Sequence, residues 1–159
     1  MKNILKIGFV TLFTFASFGF ANAQTSKYKC MLQMTNYSGE GAYIVVSLVN
    51  PQGKYEKTLY MMGPEKKWHD TLKQWYRSGG NKVKLNGITG ASVAGGDRSI
   101  VNISVDDKYL DKGYKIRFET AVEDGKYHVS DAEVPFTKAG VSEKTEGKGY
   151  IRYVKLIKS

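Results

Sequence analysis

The stretch Tyr114-Lys115-Ile116-Arg117-Phe118-Glu119-Thr120-Ala121-Val122-Glu123-Asp124-Gly125 carries the clearest structural signal in the chain. Tyr114, Ile116, Phe118, Thr120 and Val122 alternate with Lys115, Arg117, Glu119, Ala121 and Glu123, the period of two expected of a strand with one face on a core. Asp124-Gly125 follows at once, a pair suited to the positive φ that a tight hairpin turn requires. A returning strand is therefore expected from Lys126 towards Phe136. Working upstream, Val101, Ile103 and Val105 alternate with Asn102 and Ser104, and Tyr28, Cys30, Leu32 and Met34 alternate with Lys29, Met31, Gln33 and Thr35. Tyr43 to Val49 is apolar on both faces, as in a central strand. Asn50-Pro51-Gln52-Gly53 reads as a turn, and Lys54 to Met62 as its partner strand. Gly149 to Lys158 supplies a last strand, after a polar, turn-rich segment from Ala139 to Gly147.

The period changes only once. Trp68, Leu72, Trp75 and Tyr76 fall at i, i+4, i+7 and i+8, which predicts one helix that Pro64 opens and Gly79-Gly80 closes. About seven strands, tight turns, one inserted amphipathic helix and no β-α-β alternation predict an all-β, immunoglobulin-like sandwich.

The N-terminal residues have the three parts of a secretory signal: Lys2 and Lys6, an apolar run from Ile7 to Phe20, and Ala21-Asn22-Ala23. Cleavage after Ala23 is expected to leave residues 24–159 as a single domain outside the cytoplasm, periplasmic or secreted. No other apolar stretch approaches the roughly 20 residues needed to span a bilayer, so the mature chain is expected to be soluble or peripheral at most. With Lys2 and Lys6 removed and no acid lost, the 24 basic residues become 22 against 15 acidic ones, and the formal charge of +9 becomes +7. That balance favours acidic partners or phosphates. The charges are spread along the chain without a reading motif, which argues against nucleic acid. Cys30 is the single cysteine, so no disulfide within the chain can form. All eleven tyrosines lie beyond the signal, whereas five of the seven phenylalanines lie within it, a bias towards sheet aromatics with one wet end.

The equipment of a self-contained enzyme is missing from the sequence. His69 and His128 are the two histidines, no Gly-x-Ser-x-Gly elbow is present, and Cys30 has no histidine near it in sequence to act as its base. Two separated histidines and one cysteine lack the spacing of a zinc site. No phosphate-binding P-loop or dinucleotide fingerprint occurs. Both histidines are expected at the surface without a role.

The loop after the helix is different. Asn86-Gly87-Ile88-Thr89-Gly90-Ala91-Ser92-Val93-Ala94-Gly95-Gly96-Asp97-Arg98 is rich in small residues and offers Ser92 with little shielding. As composition alone, it also reads as a glycine-rich link between helix and strand. The segment resembles the acceptor motif of bacterial flavin transferases, Asp-x-x-Ser/Thr-Gly-Ala-Thr, in which FMN is joined by a phosphoester to the last hydroxyl. Thr89, Gly90 and Ala91 match, Ser92 takes the acceptor place, and Asn86 stands where the motif has an acid. The chain more widely resembles a family of predicted periplasmic proteins designated domain of unknown function 2271, through the hairpin at Ala42 to Tyr60, the tryptophan-bearing helix expected at Trp68 to Tyr76, this loop and the closing stretch Gly113 to Phe136.

The resemblance implies an electron-transfer module that is not itself an enzyme and carries covalent FMN on Ser92. It implies as partners a flavin transferase and a membrane-embedded redox or iron-uptake protein. A serine hydroxyl without its own base needs a separate enzyme to activate it. Trp68, Trp75 and Tyr76 are candidates for a wall on which the flavin stacks, or else form the buried face of a helix docked on the sandwich, the reading favoured for at least one tryptophan and Leu72. Lys66, Lys67, Lys73, Arg77, Lys82 and Lys84, with Arg98 beyond the loop, are candidates for stabilising the flavin's reduced, anionic form. The alternative is a cofactor-free binding module that contacts an envelope protein or a small ligand through its sheet edges or the long loop.

Overall fold

In the computed structural model, which describes residues 23–159, the strand patterns become two packed sheets. The signal segment expected over residues 1–23 lies, but for Ala23, outside the described residues. The strands are β1 (Thr25–Met34), β2 (Tyr43–Val49), β3 (Tyr55–Met62), β4 (Thr89–Gly90), β5 (Arg98–Asp106), β6 (Lys115–Ala121), β7 (Tyr127–Pro135), β8 (Lys144–Glu146) and β9 (Ile151–Lys158). One sheet has the order β5-β1-β9-β8 and the other β4-β3-β2-β6-β7. All seven expected strands are present. The two additions, β4 and β8, are the short edge strands.

A mostly β sandwich is therefore the fold, and the alternation explains it. Tyr28, Cys30, Leu32 and Met34 of β1 are buried against Ile44, Val46 and Leu48 of β2 and Ile116 and Phe118 of β6 in one core between the sheets. Burial pushes the Cys30 thiol up to about 12, so it is a core side chain with no thiolate to offer at neutral pH. The immunoglobulin-like strand order does not accompany the sandwich. Both tight turns keep their strands in one sheet, so the hairpins β2-β3 and β6-β7 lie side by side, whereas an immunoglobulin domain divides its second and third strands between sheets. In the first turn Asn50 Oδ1 accepts the Gln52 and Lys54 N–H groups at 3.0 and 2.9 Å, and in the second Asp124 itself takes the positive φ, at 55°. No helix among the described residues is long and apolar enough to cross a membrane.

β2 is buried on both faces because the five-stranded sheet is covered twice. Its second face holds Val45, Met61 and Ala121 under Leu72 and Trp75. The covering segment is not the single amphipathic helix that the spacing predicts. It is a 3-10 helix at Lys66–Thr71, a break at Leu72 (φ −82°, ψ 71°), and α1 (Lys73–Arg77). The break rotates the two tryptophans onto different faces: Trp75 is buried, Trp68 half-buried, and Tyr76 exposed. The histidines also depart from expectation. His69 is buried, with Nε2 2.9 Å from the Gly63 carbonyl and its ring edge-on to Tyr43 and Trp75. His128 is partly buried against Tyr150. Among the described residues neither histidine has a hydrogen bond to a serine.

Leu72 stands at the N-cap of α1 without a side chain able to cap it, and Glu119 of β6 does so from across the sheet. Its Oε1 accepts the Gln74 N–H at 2.9 Å, Oε2 accepts the Trp75 N–H at 3.0 Å, and the Tyr127 hydroxyl donates to Oε1 at 2.8 Å. Burial raises the Glu119 pKa above its ordinary 4.5, against the lowering effect of these hydrogen bonds. The folded state thus holds this proton more tightly than the unfolded chain does. The stability that Glu119 contributes is greatest below the ordinary value and declines as pH rises through the raised one. Glu133 has the opposite sign. Burial raises it, but the Arg117 hydrogen bond at 2.7 Å and the charges of Arg117 and Lys115 outweigh burial and hold it below the usual value. Its stabilisation is present at neutral pH and is lost as pH falls through the lowered value. The difference in urea unfolding free energy between the wild type and Glu119→Gln should therefore shrink as pH is raised from about 4 to about 7. A difference that grows over that range would contradict the assignment.

Candidate functional site

The chain fixes Ser92 at two neighbouring points while leaving its side chain exposed. Before it, β4 runs parallel to the end of β3, with the Ile88 carbonyl accepting the Met61 N–H and the Gly90 carbonyl accepting the Gly63 N–H, both at 2.8 Å. After it, Val93 and Ala42 exchange backbone hydrogen bonds at 2.8 and 3.1 Å, and the Val93 side chain enters the core. The Tyr37 hydroxyl reinforces that second point, donating to the Val93 carbonyl at 2.7 Å and accepting from the Ala42 N–H at 2.8 Å. Ser92 is thus an exposed residue on a held backbone.

Two glycines of this region sit where a side chain would collide with a neighbour. A Cβ placed on Gly41 would lie 2.6 Å from the Ser92 Oγ, and one on Gly90 would lie 2.8 Å from the Tyr60 hydroxyl oxygen. Any other residue at position 41 would crowd the hydroxyl. Sequence spacing gave no hint of Gly41, because the contact depends on the Ala42–Val93 bridge between segments fifty residues apart.

Ser92 forms the ridge between two clefts. One, of about 210 Å³, is lined by Glu40, Gly41, Tyr43, Glu65, Trp68, Thr71, Ala121 and Glu123 as well as Ser92. The other, of about 320 Å³, is lined on its far side by Tyr60, Asp97, Arg98 and Ser99 and includes Gly90 and Ala91. The fold thus brings together Ser92, Gly90, Ala91, Trp68 and Arg98 from the expected set. Asn86, at the start of the loop, and Thr89, in β4, are exposed and line neither cleft. Trp75 does not belong to the site. It is 1 % exposed and its Nε1 donates to the Thr58 hydroxyl at 2.9 Å beneath the covering segment, so it offers no face to a ligand.

The electrostatics around the first cleft also depart from the sequence reading. Lys66, Lys67, Lys73, Arg77, Lys82 and Lys84 are exposed and line neither cleft. Lys67 pairs with Glu65 at 3.5 Å and rests over the Trp68 ring, and Lys73 rests over Tyr127. The cleft wall instead carries Glu40, Glu65 and Glu123. Burial pushes the Tyr43 phenol up and the Glu65 and Glu123 carboxylates push it further, although a backbone hydrogen bond acts the other way. Arg98 is the cation that lines the opposite cleft, its Nε donating to Gln33 Oε1 at 3.1 Å. The glutamates come from separate segments that strand register gathers: Tyr43 lies opposite Ala121, and Ile44 opposite Met62.

A family model described as a predicted periplasmic protein, domain of unknown function 2271, matches residues 25–153. The chain belongs to that family. The match runs from the first residue of β1 into β9, so it takes in both sheets, the covering segment and the Ser92 loop. No curated protein and no solved structure matches the chain. For this member of the domain of unknown function 2271 family, the description agrees with a place outside the cytoplasm.

Proposed function

We propose that this domain is an extracytoplasmic electron carrier with FMN joined by a phosphoester to Ser92. A separate flavin transferase makes the bond, and a membrane-embedded redox or iron-uptake protein exchanges electrons with it. The observation that carries the reading is exposed Ser92 on a fixed backbone, with its Oγ so close to Gly41 that a Cβ there would meet it. Its sequence setting, Thr89-Gly90-Ala91-Ser92, supports the same reading.

The surrounding residues suit such a group in part. Arg98 can neutralise a phosphate on the side of Gly90 and Ala91, and half-buried Trp68 offers an aromatic surface on the other. Cleft volumes of about 210 and 320 Å³ are at or below the lower end of the roughly 300–1,000 Å³ that encloses a small-molecule ligand. A flavin here would stay partly open to solvent and accessible to a partner protein. Bound FMN would supply the one- and two-electron chemistry, and the chain its attachment, orientation and local field. Attachment forms an O–P bond from Ser92 to FMN, breaks the P–O–P linkage of a flavin dinucleotide donor, releases the nucleoside monophosphate and passes the serine proton to the transferase, with no change in oxidation state. A serine hydroxyl is a weak nucleophile, and in this reading the base that activates it belongs to the transferase. We further propose cleavage of the signal after Ala23.

After co-expression with a flavin transferase, the wild-type band should fluoresce on a denaturing gel, where only a covalent flavin survives. Ser92→Ala should abolish that fluorescence. A dark wild-type band would remove the cofactor from the account. A cofactor-free module that binds a small cationic ligand has the three glutamates around Tyr43 and Trp68 in its favour, and it predicts a colourless protein whose Trp68 emission changes with ligand.

A further inference from the structure

The two outer faces of the sandwich differ. The five-stranded sheet is covered by the segment that carries Leu72 and Trp75, whereas the four-stranded sheet has no covering element among the described residues. Cross-strand register defines what the uncovered face presents. Asn102, Lys29 and Ile157 form one row, and Ile100, Met31 and Lys155 the next, with Lys144 beyond. Lys27 stands one step further along β1.

Ile100 and Ile157 are 57 % and 45 % exposed, the two largest such values among the exposed apolar side chains. Among the described residues, Lys27, Lys29 and Lys155 have no carboxylate within ion-pair distance. Of the two acids on the face, Glu146 pairs with Lys144 at 3.2 Å, and Asp106, at the end of β5, accepts the Thr25 hydroxyl at 2.8 Å and keeps its charge. What remains is a sheet surface of unpaired lysines interspersed with isoleucine tips.

We propose that this face rests on a phospholipid surface with anionic headgroups. Lysines attracted to the headgroup charge, with isolated apolar tips entering the boundary beneath, form the pattern of an interfacial contact. A protein partner fits less well, because protein interfaces are depleted in lysine and favour arginine for its fixed fork geometry. Arg98 begins β5 at the margin of this face and also lines a Ser92 cleft, so docking would hold the loop beside the membrane. The proposal rests on the sheet alone and survives or fails independently of any modification at Ser92.

Flotation of the mature chain with two kinds of vesicle tests it. The protein should rise with vesicles that contain phosphatidylglycerol, less so as salt increases, and remain behind with pure phosphatidylcholine. Each lysine near such a surface contributes about a fivefold factor in partition, so the double reversal Lys29→Glu and Lys155→Glu should lower binding by more than about tenfold. Ile157→Ser leaves every charge in place and should lower it severalfold. Reversing Lys112 and Lys126, exposed loop residues away from this face, changes the net charge equally and should have much less effect. Equal losses from the two double variants would overturn the proposal, since net charge and not this face would then control binding. Failure to float with phosphatidylglycerol, or retention by an acidic protein in place of vesicles, would overturn it as well.

Discussion

Asp131→Ala should lower the unfolding free energy by about 3–5 kcal/mol, a fall of roughly 10–20 °C in Tm for a domain of this size. Asp131 of β7 is fully buried and receives five donors. The Lys148 and Gly149 N–H groups reach Oδ1 at 3.1 and 2.7 Å, the Tyr150 and Ile151 N–H groups reach Oδ2 at 2.8 and 3.1 Å, and the Thr120 hydroxyl donates to Oδ2 at 2.8 Å. Three of the consecutive backbone donors lead into β9 and the fourth, Ile151, begins it; β9 pairs in one sheet, while Asp131 and Thr120 belong to the other. This carboxylate is therefore a tie between the sheets at one end of the sandwich. Alanine leaves several donors without an acceptor, and each buried orphan costs about 1–3 kcal/mol unless water reaches it. Asp131→Asn keeps the size but points an amide N–H₂ at N–H donors, so it should recover less than half of the loss. Chemical denaturation of the three proteins measures this. A change below about 1 kcal/mol for alanine would show that the tie is not needed.

The second large effect separates the two tryptophans. Trp75→Ala should cost about 3–5 kcal/mol, because it empties a fully buried indole site between Leu72 and the Val45, Met61 and Ala121 face and takes one of its two partners from the Thr58 hydroxyl, which keeps Tyr55. Trp68→Ala should cost less than about 1 kcal/mol, because its half-buried ring borders a cleft and has no buried partner to orphan. Fluorescence of the two single-tryptophan variants adds an independent reading: a soluble quencher should reach Trp68 and not Trp75. Equal quenching, or a cost at Trp68 as great as at Trp75, would contradict the division between the cleft and the core.

That division shows where sequence pattern loses its hold. The period of two in β1 and β6 was legible because one face is core and the other is wet. The apolar run of β2 pointed to double burial but not to what covers the second face. β4 and β8, of two and three residues, are too short to show a period. The covering segment misled for a different reason. Its apolar spacing fits a helix of 3.6 residues per turn, but Leu72 breaks it, and the cap that stabilises α1 comes from Glu119, forty-odd residues away. The same break withdraws Trp75 and leaves Trp68 beside the loop. His69, read as a surface residue, is instead tied to the Gly63 carbonyl where β3 ends. At the site, the exposure of Ser92 could be read from its small neighbours. Its setting between Gly41, three glutamates and Arg98 could not, because strand register and the Ala42–Val93 bridge assemble it.

Tandem mass spectrometry of one tryptic peptide tests the central claim most directly. Cleavage after Lys84 and Arg98 yields residues 85–98, in which Thr89 and Ser92 are the only hydroxyl side chains. From protein co-expressed with a flavin transferase, that peptide should gain the mass of one FMN less one water, and its fragment series should place the increment on Ser92. An unmodified peptide, or an increment on Thr89, would contradict the account.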